Sequence, residues 1–229
     1  MSLITFSPSN LSQYRLCPKK FWGQQTKMIV WKETRAKARG TAVHEALEIA
    51  VKDGIKRVSD WPSGLNVGYV QDTVRTLRGI DGAKILTEHE MAVDKNFKSC
   101  GWWDGDAFLR AKADLLCLKP EEYALVGDWK TGKIYPDMDF QLRVEALLVH
   151  ALYHVNVVSW MLFYVDQGQT KKGIVDFTQG FAQVQDILDL MLEAKKTMGQ
   201  GGPYLAKKNQ FCRWCDWYHT PSCQDSRGW

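Results

Sequence analysis

The chain has 229 residues, 45% apolar composition and a formal net charge of +4, enough length for one sizeable core with an appended subdomain. No uninterrupted run of about 18 apolar residues occurs, which argues against a helical membrane span. The opening MSLITFSPSNLSQYRLCPKK lacks the basic-then-apolar pattern of a secretory leader, so an intracellular, cytoplasmic setting is expected.

Charge is unevenly spread. Residues 1–60 carry 11 Lys/Arg against 5 Asp/Glu, and the remainder is close to balance. A basic first quarter with Trp22 and Trp31 among the charges suits a polyanion such as nucleic acid, and equally suits a plain solvated face. Ser7-Pro8 reads as a cap followed by proline at the first helical position, opening a short helix that Pro18 disturbs. A second helix over about 35–53 ends at Gly54 and gathers Ala42, Val43, Ala46, Leu47 and Ala50 on one side. Residues 54–68 read as a loop, before a weaker helix near 68–78.

From about residue 83 the pattern turns to strands. ILTEHEMAV (85–93), the turn CGWWDGDAF (100–108), FLRAKADLLCL (108–118), the tip KPEE and YALVGDW (123–129) form a three-stranded antiparallel meander. A helix at about 139–154, a buried strand VVSWMLFYV (157–165), a strand GIVDFT (173–178) and a helix at about 180–198 precede a cysteine-rich tail. The order predicts an α/β or α+β domain with a central mixed sheet flanked by helices. No G-x-x-x-x-G-K-[ST] loop is present, so any helicase action would have to come from a partner.

Asp128, Trp129 and Lys130 form a D-x-K triplet in one strand, and Asp114 lies in the strand before it. Alternation puts Asp128 and Lys130 on the same face. A hairpin turning about Glu121 pairs residues whose numbers sum to about 242, which sets Asp114 opposite Asp128. Two carboxylates that close repel unless one is protonated or a cation lies between them. A hard divalent cation such as Mg²⁺ or Mn²⁺ suits such oxygens; the plainer reading is an ion pair of Lys130 with an aspartate. His44 stands by the apolar side of its helix, where a histidine can be a satisfied core residue or a ligand. Gln141, eleven residues past Lys130, could reach a phosphate or base from the first turn of its helix.

Six cysteines in an intracellular chain point away from a disulfide framework. Cys100 and Cys117 are isolated and read as core or near-core residues. Cys212 and Cys215 form a C-x-x-C pair, Cys223 follows, and Cys17 lies almost two hundred residues upstream. Spacing alone leaves zinc and a cluster both open. Trp214, Trp217 and Tyr218 are expected to pack around the centre, with His219 as a spare ligand.

Taken together, SPSNLSQYRLCPKKFW (7–22), GTAVHEAL (40–47), KADLL (112–116), GDWKTGK (127–133) and QLRVEALL (141–148) resemble the ordered motifs of RecB-like PD-(D/E)XK nucleases. The cysteine placement resembles their iron–sulfur branch, which includes CRISPR-associated RecB-like exonucleases, AddB-type helicase–nuclease subunits and phage-encoded relatives. The resemblance implies a restriction-endonuclease-like core at 35–200, flanked by a helical segment at 1–34 and a cluster segment at 201–229. It implies a metal-dependent deoxyribonuclease, an exonuclease on single-stranded or frayed ends, in a bacterium, archaeon or phage-infected host.

By position, the resemblance makes His44, Asp114, Asp128 and the carbonyl of Trp129 the ligands of Mg²⁺ or Mn²⁺, with Lys130 as catalytic lysine. It makes Cys17, Cys212, Cys215 and Cys223 the ligands of a structural [4Fe–4S] cluster, with zinc as the alternative. Gln141 would help place DNA, and Lys19, Lys20, Arg35, Lys37 and Arg39 would meet its backbone, making binding salt-dependent. Glu88 and Glu90 could add carboxylates. One departure stands out: the family often has Tyr four residues after the motif Gln, and this chain has Glu145. A non-catalytic DNA-binding module of the same fold is the rival reading. A homo-oligomer, or a recombination or CRISPR protein partner, is compatible with the resemblance; membrane association is not expected.

Overall fold

The computed structural model describes residues 5–26, 35–53, 61–134, 138–215, 217, 218, 220 and 223, without the side chain of Trp214. Trp31, His219 and the first part of the loop expected at 54–68 lie outside the described residues. The chain divides into two compact units, one of Met1–Thr5 and Glu33–Val184, the other of Phe6–Lys32 and Gln185–Trp229.

The first unit holds α3 (Arg35–Asp53), α4 (Val67–Arg78), β1 (Lys84–Val93), β2 (Leu109–Lys119), β3 (Tyr123–Lys130), α5 (Phe140–Tyr153), β4 (Val157–Tyr164) and β5 (Gln169–Asp176). Its five strands lie in the order β1-β2-β3-β4-β5. Only β3 and β4 run parallel, joined through α5, and the other neighbours are antiparallel. The sheet is therefore mixed, as the sequence pattern implies. Leu115, Leu116, Cys117 and Leu118 of β2 are all buried, so both faces are covered. Leu115 and Cys117 pack with Val43 and Leu47 of α3 and with Val70 and Val74 of α4. Each such side chain contributes roughly 1.5–3 kcal/mol by leaving water.

Two expectations need correction. Ala42 is exposed, and the buried face of α3 runs instead through Val43, Leu47, Ala50 and Val51. Strand β5 begins at Gln169 rather than near Gly173, because the tight turn after β4 brings QTKK back antiparallel to Tyr164–Met161. Those residues are polar because β5 is an edge strand, where lysines discourage pairing with another chain.

Gly127 precedes the D-x-K triplet under the ring of Phe163. A Cβ there would meet Phe163 Cε2 at 2.8 Å and Leu115 Cδ2 at 3.0 Å. Gly127→Ala should cost about 1–3 kcal/mol of overpacking. Thermal unfolding would then show a melting temperature lower by roughly 2–12 °C; an unchanged value contradicts this packing.

The second unit holds α1 (Pro8–Leu16), α2 (Pro18–Gln25), α6 (Gln185–Gly199) and the tail, with a 3₁₀ turn at Cys212–Trp214. Ser7 caps α1 reciprocally with Asn10. Pro18 disfavours a helical residue before it, so Cys17 is extended and closes α1 while opening α2. Tyr14 hydroxyl lies 3.0 Å from Thr197 Oγ1, tying α1 to α6. Trp22 stacks on Tyr204 and tilts against Trp217. Among the described residues no helix is long and apolar enough to cross a membrane.

Candidate active site

The β2–β3 hairpin has the register expected from its sequence, with Leu115 opposite Gly127 and Lys119 opposite Tyr123. Continued by one residue, it sets Asp114 opposite Asp128. The ladder stops there because the Trp129 N–H is taken by the Asp114 side chain, donating to Oδ2 at 3.0 Å. His44 on α3 approaches the same place. Its Nδ1 lies 3.2 Å from Asp114 Oδ2 and its Nε2 lies 2.8 Å from the Trp129 carbonyl oxygen.

Glu88 completes a group. Ligand atoms of His44, Glu88 and Asp114 all lie within 4.8 Å of one another. Glu88 faces Asp114 across the β1–β2 ladder, between the pairs Thr87–Leu115 and His89–Ala113. Its φ of 50° is left-handed, which costs a non-glycine residue about 1–3 kcal/mol. Glu90, in contrast, is exposed; it lies opposite Lys112 in the ladder, but the Lys112 ammonium makes its ion pair with Glu88 Oε2 at 2.5 Å.

Asp128 is 2% exposed and faces Lys130, whose Nζ lies 2.6 Å from Oδ2. The ammonium forms an ion pair with that buried oxygen. Burial drives the Asp128 carboxyl up to about 6; the charge of Lys130 opposes this and that of Asp114 adds to it. Burial pushes the Lys130 ammonium down, but the charge of Asp128, the hydrogen bond to it and the charges of Asp114 and Glu145 together outweigh this, and the net direction is upward. The His44 imidazole is likewise pushed down by burial and raised overall, through its hydrogen bond to Asp114 and the charges of Asp114 and Asp128. Lys130 Nζ also donates to Gln141 Oε1 at 3.4 Å.

A hard divalent cation fits this donor set. Carboxylate oxygens of Asp114 and Glu88 and the His44 imidazole lie around one point, and the neighbouring Asp128 carboxyl, buried beside Asp114, is pushed above its ordinary range. Glu88 and Glu90 stand equal in the sequence; the place of Glu88 opposite Asp114 is what separates them. Of the basic residues, Arg39 is committed to Asp166, with contacts of 2.7 and 3.0 Å. Asp166 also accepts from the Gly132 N–H at 2.9 Å, so Arg39 braces the turn after the D-x-K triplet rather than offering a free cation. Arg35 and Lys37 are exposed on α3, and Lys19 and Lys20 are half-buried on α2.

Proton competition gives a test. Asp128 has a folded value near 6 against 3.8 unfolded, so the fold holds the extra proton between those pH values and its contribution to stability falls as pH rises through them. Asp94, Asp166 and Asp176 are held low and act in the opposite direction. The comparison is therefore with Asp128→Asn. Without metal, the melting temperature of wild type should decline relative to this variant from about pH 4 to about pH 6. A relative rise contradicts the burial of Asp128.

In the second unit, Cys17, Cys212, Cys215 and Cys223 line one cavity of about 460 Å³, together with Lys20, Phe211 and Tyr218. The Lys207 N–H donates to Cys17 Sγ at 3.5 Å and the Asn209 N–H to Cys212 Sγ at 3.2 Å. Asn209 also ties the tail to α1 by donating from Nδ2 to the Leu16 carbonyl. Cys117 is buried in the first unit and Cys100 is half-buried.

Two carboxylates and an imidazole around one point, with a half-buried ammonium beside them on a mixed sheet, form a candidate site for a divalent cation. The family follows from the sequence. The model of the PD-(D/E)XK nuclease superfamily matches residues 5–224, and the chain belongs to that superfamily of metal-dependent nucleases, for which DNA is the substrate. The solved structure "Crystal structure of SSO0001" is similar at 14% identity and a TM-score of 0.37, covering 87% of this chain and 92% of that one. No curated protein matches.

Proposed function

We propose that the chain is an exonuclease of the RecB-like iron–sulfur branch, acting on single-stranded or frayed DNA ends. The observation that carries the catalytic reading is the convergence of His44, Asp114 and the Trp129 carbonyl, with Asp128 and Lys130 alongside, in a superfamily of nucleases. His44, Asp114, Asp128 and the Trp129 carbonyl would hold Mg²⁺ or Mn²⁺, and Glu88 adds a further carboxylate. When bound, the cation polarises the phosphoryl oxygen and makes water a better nucleophile. Lys130 keeps its proton at neutral pH, because its ammonium is stabilised by Asp128. Its ammonium is suited to offset charge growing on the phosphate.

The four cysteines would hold a structural [4Fe–4S] cluster. Their convergence on one cavity and the N–H donors to two sulfurs support this. Zinc on the same four thiolates is the alternative occupant. On this reading the nuclease core is the unit holding the sheet, and the two chain ends share the cysteine-bearing unit.

The test uses end-labelled linear single- and double-stranded DNA beside circular DNA, with anaerobically purified protein and Mn²⁺. Progressive shortening of linear strands with circles left intact is expected. Rapid cutting of circles makes the enzyme an endonuclease and overturns the exonuclease reading.

A further inference from the structure

Glu145 stands where the nuclease motif often carries tyrosine, and its carboxyl has no part in that motif. It lies in the middle of α5, is fully buried, and stands one helical turn after Gln141. Gln141 Nε2 donates to Glu145 Oε1 at 2.9 Å, and Glu145 Oε2 is buried without a hydrogen-bond partner. On its other side the same amide presents Oε1 to Lys130 Nζ at 3.4 Å. Lys130 in turn sits 2.6 Å from Asp128. Glu145, Gln141, Lys130 and Asp128 thus form one continuous polar chain.

A side-chain amide has two ends of almost equal size and opposite hydrogen-bonding character. Its orientation is set by its neighbours. A carboxyl oxygen on one side accepts and so selects the nitrogen, which leaves the amide oxygen for the ammonium. With an apolar residue at 145 the amide loses that selection and is free to turn its NH₂ toward Lys130, where donor meets donor. Packing alone gives no reason for a carboxyl here, because its burial is costly and one oxygen is unsatisfied. Burial, the charge of Asp128 and the charge of Asp114 push the Glu145 carboxyl well above the ordinary range, against the Gln141 hydrogen bond, so it can keep its acceptor oxygen without a second negative charge beside Asp128.

We propose that Glu145 is a positioning residue: by accepting from Gln141 it fixes the amide with its oxygen toward Lys130, and so holds the lysine in place. The inference rests on Lys130 being the catalytic lysine. It also changes the part of Gln141, whose amide serves Lys130 first rather than lying free to meet a DNA base.

The test compares Glu145→Leu and Glu145→Gln with wild type in the full-length protein, with its metal centres intact. Glu145→Leu should lower kcat about 10- to 100-fold, the cost of a slightly misplaced group. Its KM for DNA should stay within about twofold, because the lost interaction belongs to the chemical step. Its melting temperature should be unchanged or higher, since an unsatisfied buried carboxyl has been removed. Glu145→Gln keeps an acceptor for Gln141 and should restore most of kcat. Independently of cleavage, the Gln141 side-chain amide protons should exchange slowly in wild type and in Glu145→Gln, and rapidly in Glu145→Leu.

Three results overturn the proposal. One is a Glu145→Leu enzyme as fast as wild type beside an inactive Lys130→Ala. Another is a loss of kcat and of melting temperature together that Glu145→Gln does not restore, which marks a structural residue. The third is Gln141 amide exchange that does not respond to residue 145. A wild type silent in every metal is a different failure: it removes the catalytic reading of Lys130, and this inference falls with it.

Discussion

Lys130→Ala is expected to reduce cleavage by about 10²–10³-fold, on the scale seen when one preorganised charge stabiliser is removed from a water-poor site. The Lys130 side chain is 23% exposed and its partner Asp128 only 2%, so the ammonium acts through a poorly solvated path. Its loss has a second effect. Asp128 would keep its burial and its neighbour Asp114 but lose its counter-charge, so its carboxyl would rise further above 6 and hold a proton more firmly at neutral pH. Lys130→Ala should therefore bind Mn²⁺ with a steeper pH dependence as well as cleave slowly. Titrations of Mn²⁺ at pH 6 and pH 8 separate the two effects, and DNA affinity measured in calcium should change little. Cleavage unchanged by Lys130→Ala removes the lysine from the mechanism.

The second large effect concerns the cysteines. A centre joining Cys17 to Cys212 closes a loop of almost two hundred residues. Loop closure on that scale contributes about 5 kcal/mol in the chain-entropy model, large beside a typical domain stability of about 5–15 kcal/mol. Cys17→Ser should thus lose the brown colour of an iron–sulfur protein and lower the melting temperature by roughly 10–20 °C. Cys100→Ser, which changes a half-buried thiol in the other unit, should do neither. A colourless wild type with one zinc per chain would replace the cluster with a zinc centre and leave the stability argument standing.

Much of the fold was legible because its elements are punctuated by strong local chemistry. Ser7, Pro8 and Pro18 set the first helix, and Glu121, with its φ of 65°, turns the β2–β3 hairpin in the register that places Asp114 opposite Asp128. The start of β5 was hidden because an edge strand does not require alternating apolar residues, and QTKK carries none. Strand spacing was enough to bring Asp114, Asp128 and Lys130 near one another, which the hairpin register and the Lys130–Asp128 contact reproduce. The site was less legible where tertiary geometry decides. Glu88 joins His44 and Asp114 through a left-handed backbone that no residue type announces. Arg39 reads as a free cation until the fold brings Asp166 to it. Glu145 stands out in the sequence as a departure from tyrosine, yet only its burial against Gln141 shows what it touches.

The most direct test of the central claim is cleavage of end-labelled linear DNA by wild type and by Asp114→Asn, each with Mn²⁺, with Mg²⁺ and with EDTA. Asp114 meets His44 and the Trp129 N–H at once, so its amide replacement disturbs the cation site at its centre. Wild type should cleave with metal and not in EDTA, and Asp114→Asn should lose about 10³-fold or more, equivalent to about 4 kcal/mol of transition-state stabilisation. Tight DNA binding without cleavage in either metal, with the cysteine centre intact, contradicts that claim and makes the chain a non-catalytic DNA-binding module.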